Sequence, residues 1–181
     1  VGMVGCKFIF PDGSFQESSF RFPQKNRSWL FGRVFGVKEP DHSKLHKTDY
    51  VMGAFMLMPK KVLDSVGVFD ENFFIFCEEI DLAYRITKAG YEIWYDPSSE
   101  IIHYHGVTTR HHQNAETRMW FKLLGFKNMF RWYRKHYGFF SMWVYKLRTL
   151  VGLLVRGADD DTSFEKELWK KKVGSCFKLT L

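Results

Sequence analysis

Gly67-Val-Phe-Asp-Glu-Asn-Phe-Phe-Ile-Phe-Cys-Glu-Glu-Ile-Asp-Leu-Ala-Tyr-Arg85 is the stretch from which the rest of the chain is read. It sets three carboxylates, Glu78, Glu79 and Asp81, at the mouth of a predicted helix, directly after an aromatic run. Exposed amides and the macrodipole at a helix N-terminus favour negative charge, so carboxylates stay ionised there. An ionised carboxylate at an apolar rim has the properties of a general base. The plainer reading is that acids in a first turn only stabilise their helix. At helical spacing Glu78 and Asp81 share a face and Glu79 points about 100° away. Asp81 and Arg85 stand four apart, the spacing of an ion pair along a helix. Glu79 is then the freer group, with Glu78 and Asp81 as the other candidates.

Upstream, Lys7–Phe10 reads as a strand and Pro11-Asp12-Gly13 as turn chemistry. Ser14–Phe22 reads as a hairpin return, and Pro23–Lys47, polar and basic without periodicity, as a loop. The apolar run Tyr50–Met58 predicts a buried strand. Pro59 suits the start of a short helix, Lys60–Ser65, which Gly67 terminates. The acid-led helix is predicted over Glu78–Ala89, with Arg85 and Lys88 near its end and Gly90 beyond. Tyr91–Tyr95 is a strand, Asp96-Pro97 a turn, and Glu100–Tyr104 another strand. After Gly106 the pattern turns helical: Ala115–Leu124 and Phe126–Tyr137 either side of Gly125, then Phe139–Val155. Phe126, Phe130, Tyr133 and Tyr137 form one stripe, with Lys127, Arg131 and Arg134 beside it. Asp159-Asp160-Asp161 is a break, and Phe164–Leu181 a charged tail.

Composition narrows the function classes. The chain has 181 residues and is 45% hydrophobic, enough for one domain and an extension. Its three cysteines, Cys6, Cys77 and Cys176, make no CxxC pair and suggest no disulfide framework, which favours a reducing compartment. No run reaches ~18 uninterrupted apolar residues, the length of a membrane span. The formal net charge of +7 is uneven. Thr117–Ala158 holds nine Lys and Arg and no Asp or Glu, whereas the remainder holds 18 basic against 20 acidic residues. An anionic partner is therefore to be sought at that segment. Basic and aromatic groups interleave there as in nucleic-acid binders, but no nucleic-acid fold motif accompanies them. Cationic helices with Trp and Phe fit a membrane interface better. The alternative is a helical cap that packs its aromatics inward and exposes its charges.

Five pieces occur in one order at close spacing: Val51-Met-Gly-Ala-Phe-Met-Leu-Met58, Asp70-Glu-Asn-Phe-Phe74, Glu78-Glu-Ile-Asp-Leu82, Gly90-Tyr-Glu-Ile-Trp-Tyr-Asp-Pro97 and His103-Tyr-His-Gly106. Together they resemble the C-terminal half of the catalytic domain of family 2 glycosyltransferases, and most closely its rhamnosyltransferase-like members. Val4-Gly-Cys-Lys-Phe-Ile-Phe-Pro-Asp-Gly-Ser-Phe-Gln16 resembles the segment that follows the donor-nucleotide half in those enzymes. The resemblance covers roughly residues 1–137. It implies an α/β chain: an incomplete nucleotide-diphosphosugar transferase (GT-A type) fold without its N-terminal nucleotide-binding half. Residues 1–114 would be the acceptor-side half and residues 115–181 a basic, aromatic-rich helical extension.

The resemblance implies inverting transfer of a sugar from a nucleotide-diphosphate donor to an acceptor hydroxyl, in surface polysaccharide or cell-wall glycan synthesis. The acceptor would be a glycan or lipid-linked, the cofactor Mg²⁺ or Mn²⁺, and the chain a fragment not active alone. The cysteine pattern and the basic, aromatic segment add the expectation of cytoplasmic placement, peripheral at the inner face of the cell membrane. Glu79 stands where the family's base is usually Asp. Gly53 and Ala54 resemble the small pair beside the donor sugar, and Asp70 and Glu71 fall in the loop that shapes the acceptor side. A histidine six residues after Pro97 can contact the metal or the diphosphate, which points to His103, with His105 second. On a strand those two share a face and could reach one ion, although no Cys or close acid completes a tetrahedral zinc set. The plainer reading of His103 is a hydrogen bond that orders its loop. The rival function is a non-catalytic basic module that binds anionic membrane or nucleic acid.

Overall fold

Two structural units emerge from a computed structural model that describes residues 1–23, 40–104, 106, 114–156 and 163–178. The first contains Val1–Phe22 and Lys38–Gly106, and the described part of the second is the helical residues from 114 onward. The expected loop therefore lies largely outside the described residues, as do His105, His111, His112 and the Asp159–Asp161 break.

In the first unit β1 (Met3–Ile9), β2 (Phe15–Gln16), β4 (His46–Thr48) and β6 (Ile93–Ile102) form a four-stranded sheet. Its order is β2-β1-β6-β4. β1 lies parallel to β6, and β2 and β4 run antiparallel to their neighbours. A separate antiparallel pair joins β3 (Ser19–Phe20) to β5 (Tyr50–Val51). Between Tyr50 and β6 come α1 (Lys60–Val66) and α2 (Glu78–Lys88). This is a mixed α/β unit. Its core joins Met3, Val51, Val62, Leu82, Ala83, Ile86 and Ile93 from both sheets and both helices. Each fully buried aliphatic side chain of this kind contributes ~1.5–3 kcal/mol.

Three expectations for this unit change. The buried strand over Tyr50–Met58 stops at Val51, because Gly53 and Ala54 turn the chain outward. Beyond the turn only Leu57 rejoins the sheet, through a two-way backbone pairing with Val4. Asp96-Pro97 is not a turn between two strands. β6 runs through it as a bulge: Cys6 pairs with Asp96 while Lys7, the next residue, pairs with Glu100. His46 and Lys47, placed at the end of a loop by its polarity, form edge strand β4 together with Thr48. Gly67 does terminate α1, at φ 80°, a left-handed value that suits glycine.

In the second unit α3 (Ala115–Arg156) continues through Gly125 and is interrupted at Gly138, whose φ of 85° and ψ of 173° are not helical. The expected break at Gly125 is absent because glycine lowers helix propensity without forbidding the helix. The expected charged tail is instead helix α4 (Ser163–Phe177). Phe130, Trp132, Tyr133, Met142, Leu168 and Cys176 are buried in this unit. The aromatic stripe is thus partly core: Phe126 meets Phe130 at 4.8 Å and Tyr133 meets Tyr137 at 5.5 Å between ring centroids.

Candidate active site

α2 begins after two successive non-glycine residues in the left-handed region, Phe76 (φ 66°) and Cys77 (φ 73°). Such backbone costs on the order of 1–3 kcal/mol per residue and persists only where surrounding structure imposes it. Here burial of Phe73 and Cys77 anchors the turn, while Phe74 stays 80% exposed between them. Cys77 provides no side-chain cap. The first amides of the helix are left to the carboxylates that follow, and all three acids lie in the first turn.

Those three acids separate in role. Asp81 is fully buried and paired with Arg85, Oδ2 to Nε 2.9 Å. The same guanidinium donates to the carbonyls of Val66, Gly67 and Val68. Asp81 therefore belongs to a clamp that ties the 66–68 segment to α2. Glu78 and Glu79 each carry one buried carboxyl oxygen, Oε2, without a hydrogen-bond partner among the described residues. Burial, and then the neighbouring Glu78 charge, push the Glu79 carboxyl up from 4.5 to about 7. The amides of Glu79 and Ile80 pull the other way. A carboxyl so placed is poised to exchange a proton near neutrality.

Gly53 sits beside this group. A Cβ on Gly53 would lie 3.5 Å from the Glu79 Cβ and 3.9 Å from its Cγ. The turn that displaces the expected strand thus brings Gly53 against the Glu79 stem, with Ala54 exposed next to it. Met52, before that turn, accepts a hydrogen bond from Gln16 Nε2 to Sδ at 3.9 Å. Gln16 Oε1 in turn faces His103 Nδ1 at 3.1 Å, and Phe8 meets the His103 ring edge-on. A chain of neighbours therefore leads from Glu79 through Gly53, Met52 and Gln16 to His103. Gln16 has no place among the sequence candidates. Its one signal is its position at the end of the Val4–Gln16 segment that resembles the family.

Asp70 and Glu71 lie apart from this chain of contacts. The Asp70 carboxylate accepts from the Asn72 amide at 2.9 Å and from Asn72 Nδ2 at 2.7 Å, which shapes its own turn, and Glu71 is exposed. Among the described residues no three His, Cys, Asp or Glu side chains come together to hold a metal. Of the expected pair His103 and His105, only His103 falls among the described residues, and its Nδ1 faces Gln16 Oε1.

The chain is 34% identical over 87 residues to the rhamnosyltransferase WbbL of Escherichia coli, covering 48% of this chain and 28% of that protein. It is 28% identical over 120 residues to the N-acetylglucosaminyl-diphospho-decaprenol L-rhamnosyltransferase of Mycobacterium tuberculosis, covering 60% of this chain and 39% of that one. An O-antigen biosynthesis protein of Myxococcus xanthus, RfbC, is 24% identical over 140 residues, which are 70% of this chain and 10% of that protein. The chain thus spans well under half the length of these relatives. No solved structure matches it. Residues 36–135, more than half of the chain, match the profile described as glycosyltransferase like family 2, and the chain belongs to that family.

Proposed function

We propose that this chain is the acceptor-side part of an inverting glycosyltransferase that moves a rhamnosyl or related sugar from a nucleotide-diphosphate donor to an acceptor hydroxyl. The observation that carries the reading is Glu79, a largely buried carboxyl pushed up to about 7 with Gly53 set against its stem. In this reading Glu79 takes the proton of the acceptor hydroxyl as the oxygen attacks the anomeric carbon. The bond from that carbon to the diphosphate breaks on the opposite face. Glu78 tunes the base through its charge, and Asp81 with Arg85 holds the helix start in place. Gly53 and Ala54 leave room for the sugar, and Gln16 with His103 lines the adjoining side.

The relatives' names support a polysaccharide or lipid-linked acceptor, of which the decaprenol-linked substrate of the mycobacterial protein is one instance. The nucleotide-binding half and any Mg²⁺ or Mn²⁺ ligands would lie outside the described residues. A reducing, cytoplasmic setting agrees with three cysteines that are all free and buried. The test is turnover of dTDP- and UDP-sugars by the complete enzyme carrying Glu79→Gln. A loss of ~10²–10⁴ in kcat with unchanged donor affinity supports the assignment. Wild-type turnover in that variant refutes it. If Glu78→Gln abolishes turnover instead, the base is Glu78.

A further inference from the structure

Beyond Gly138, α3 carries an apolar stripe on its outward face. Residues Ser141, Met142 and Lys146 on one face are buried. The Lys146 ammonium sits 4.9 Å from the Trp143 ring and 5.2 Å from the Phe130 ring, and donates to the Lys178 carbonyl at 2.6 Å. Trp169 of α4 donates to the Leu153 carbonyl at 2.8 Å, and Tyr145 stacks on Tyr133 with centroids 4.0 Å apart. The inward face thus carries a lysine, a serine and carbonyl contacts. The outward face, at helical spacing, reads Phe140, Val144, Leu147, Val151, Leu154 and Val155. Of these, Phe140 is 79%, Leu147 62% and Val155 74% exposed. A helix on a water-facing surface carries its apolar stripe toward the core and its polar face outward. This one buries Met142 together with Lys146 and Ser141, stacks Tyr145 on Tyr133, and carries a second, apolar stripe outward.

We propose that this face lies in the headgroup–acyl boundary of an anionic lipid bilayer, with the helix parallel to the membrane plane. Charge selects the occupant. The surrounding segment Thr117–Ala158 has nine Lys and Arg and no acid; Lys146 of these is buried and Lys122 pairs with Glu165, while Arg134 and Lys135 are exposed just before the Gly138 break. A second copy seated on the same face by a two-fold axis would bring these cationic margins together, whereas an anionic surface neutralises them. Length and composition alone would also let α3 cross a bilayer. Its inner face argues against crossing. Buried Lys146, bonded to Lys178 just past α4, and α4 itself, bonded to Leu153 and carrying exposed Lys170 and Lys171, would have to enter hydrocarbon as well. Lying flat buries the apolar face and leaves that packing in water. The inference stands apart from the glycosyl-transfer reading, because lipid binding needs no turnover.

Co-sedimentation of the 181-residue chain with vesicles of phosphatidylcholine, with and without phosphatidylglycerol, tests it. Binding to the phosphatidylglycerol vesicles that weakens with salt is expected. The double variant Leu147→Glu/Val151→Glu, at exposed positions, should lower partitioning by ~tenfold or more. A polarity-sensitive dye at Leu147→Cys should shift to the blue on those vesicles, and a dye at Lys170→Cys should not. The dye reading decides the matter if the double variant misfolds. Three results overturn the proposal: no vesicle binding, equal binding by the folded double variant, or a concentration-dependent dimer that Leu147→Glu/Val151→Glu dissolves while vesicles capture nothing.

Discussion

Asp81 and Arg85, one helical turn apart on α2, form an ion pair whose carboxylate has no solvent exposure at all. The pair does more than brace one helix, because Arg85 also collects the carbonyls of Val66, Gly67 and Val68 at the end of α1. The loop that leads to Glu78 and Glu79 is therefore anchored at both of its ends by α2. Arg85→Met should deprive buried Asp81 of the Arg85 charge and cost ~3–5 kcal/mol in urea unfolding. Asp81→Asn keeps shape and one hydrogen bond, so a smaller loss of ~1–3 kcal/mol is expected. Equal stability of wild type and Arg85→Met would show that the clamp does not hold this loop.

Glu79 makes stability depend on pH in an unusual direction. Its carboxyl is raised from 4.5 to about 7 on folding, so between those values the folded chain binds more protons than the unfolded chain. The contribution of Glu79 to stability is then fully present below about 4.5 and declines as pH rises to about 7, by at most ~1.4 kcal/mol for each pH unit crossed in that interval. Ordinary salt-bridged carboxylates give the opposite slope, so the signal is best read as a difference. Subtracting the Glu79→Gln curve from the wild-type curve in chemical unfolding at several pH values should isolate it. If Glu79 is the base proposed above, turnover by the complete enzyme should rise through an acid limb near 7, because a base acts deprotonated.

Gly53 separates room for a ligand from stability. Its backbone is not left-handed, and a Cβ there makes only ordinary contact with Glu79. Gly53→Ala should therefore change unfolding free energy by less than ~0.5 kcal/mol. Gly53→Leu would extend over the Glu79 stem. We expect kcat/KM of the complete enzyme to fall far more for Leu than for Ala, with melting temperatures close together. A parallel fall in melting temperature would mean that Gly53 serves packing.

The acid-led helix is legible in the sequence because its signals agree: acids in the first turn, Arg85 and Lys88 in the last, and Gly90 beyond. The Asp81–Arg85 pair follows from spacing alone. The burial of Glu79 does not, since helical geometry gives direction relative to Glu78 and Asp81 but not what lies opposite. Gln16 is invisible for a similar reason: it meets His103 across 87 positions of sequence. The apolar run after Tyr50 misleads because periodicity cannot show that Gly53-Ala54 turns, and the bulge at Asp96-Pro97 reads locally like a turn. The Phe139–Val155 helix is legible as apolar and basic. Its outward apolar stripe is not, because composition does not say which face a lysine takes.

Gly138 gives the last prediction. Its φ of 85° and ψ of 173° lie in a region that side chains with a Cβ avoid. A Cβ there would meet nothing within 4 Å, so steric crowding by neighbours is excluded and backbone strain alone opposes substitution. Gly138→Ala should therefore lower stability by ~1–3 kcal/mol, or straighten the junction into continuous helix. Thermal unfolding separates these outcomes when combined with far-ultraviolet circular dichroism. A lower melting temperature at constant helix content indicates retained, strained geometry. A gain in helix content indicates a straightened α3, which would pull Tyr145 away from Tyr133 and expose Lys146. Gly125→Ala, in continuous helix, should instead stabilise the unit or leave it unchanged. If both substitutions behave alike, Gly138 is not the point at which α3 turns.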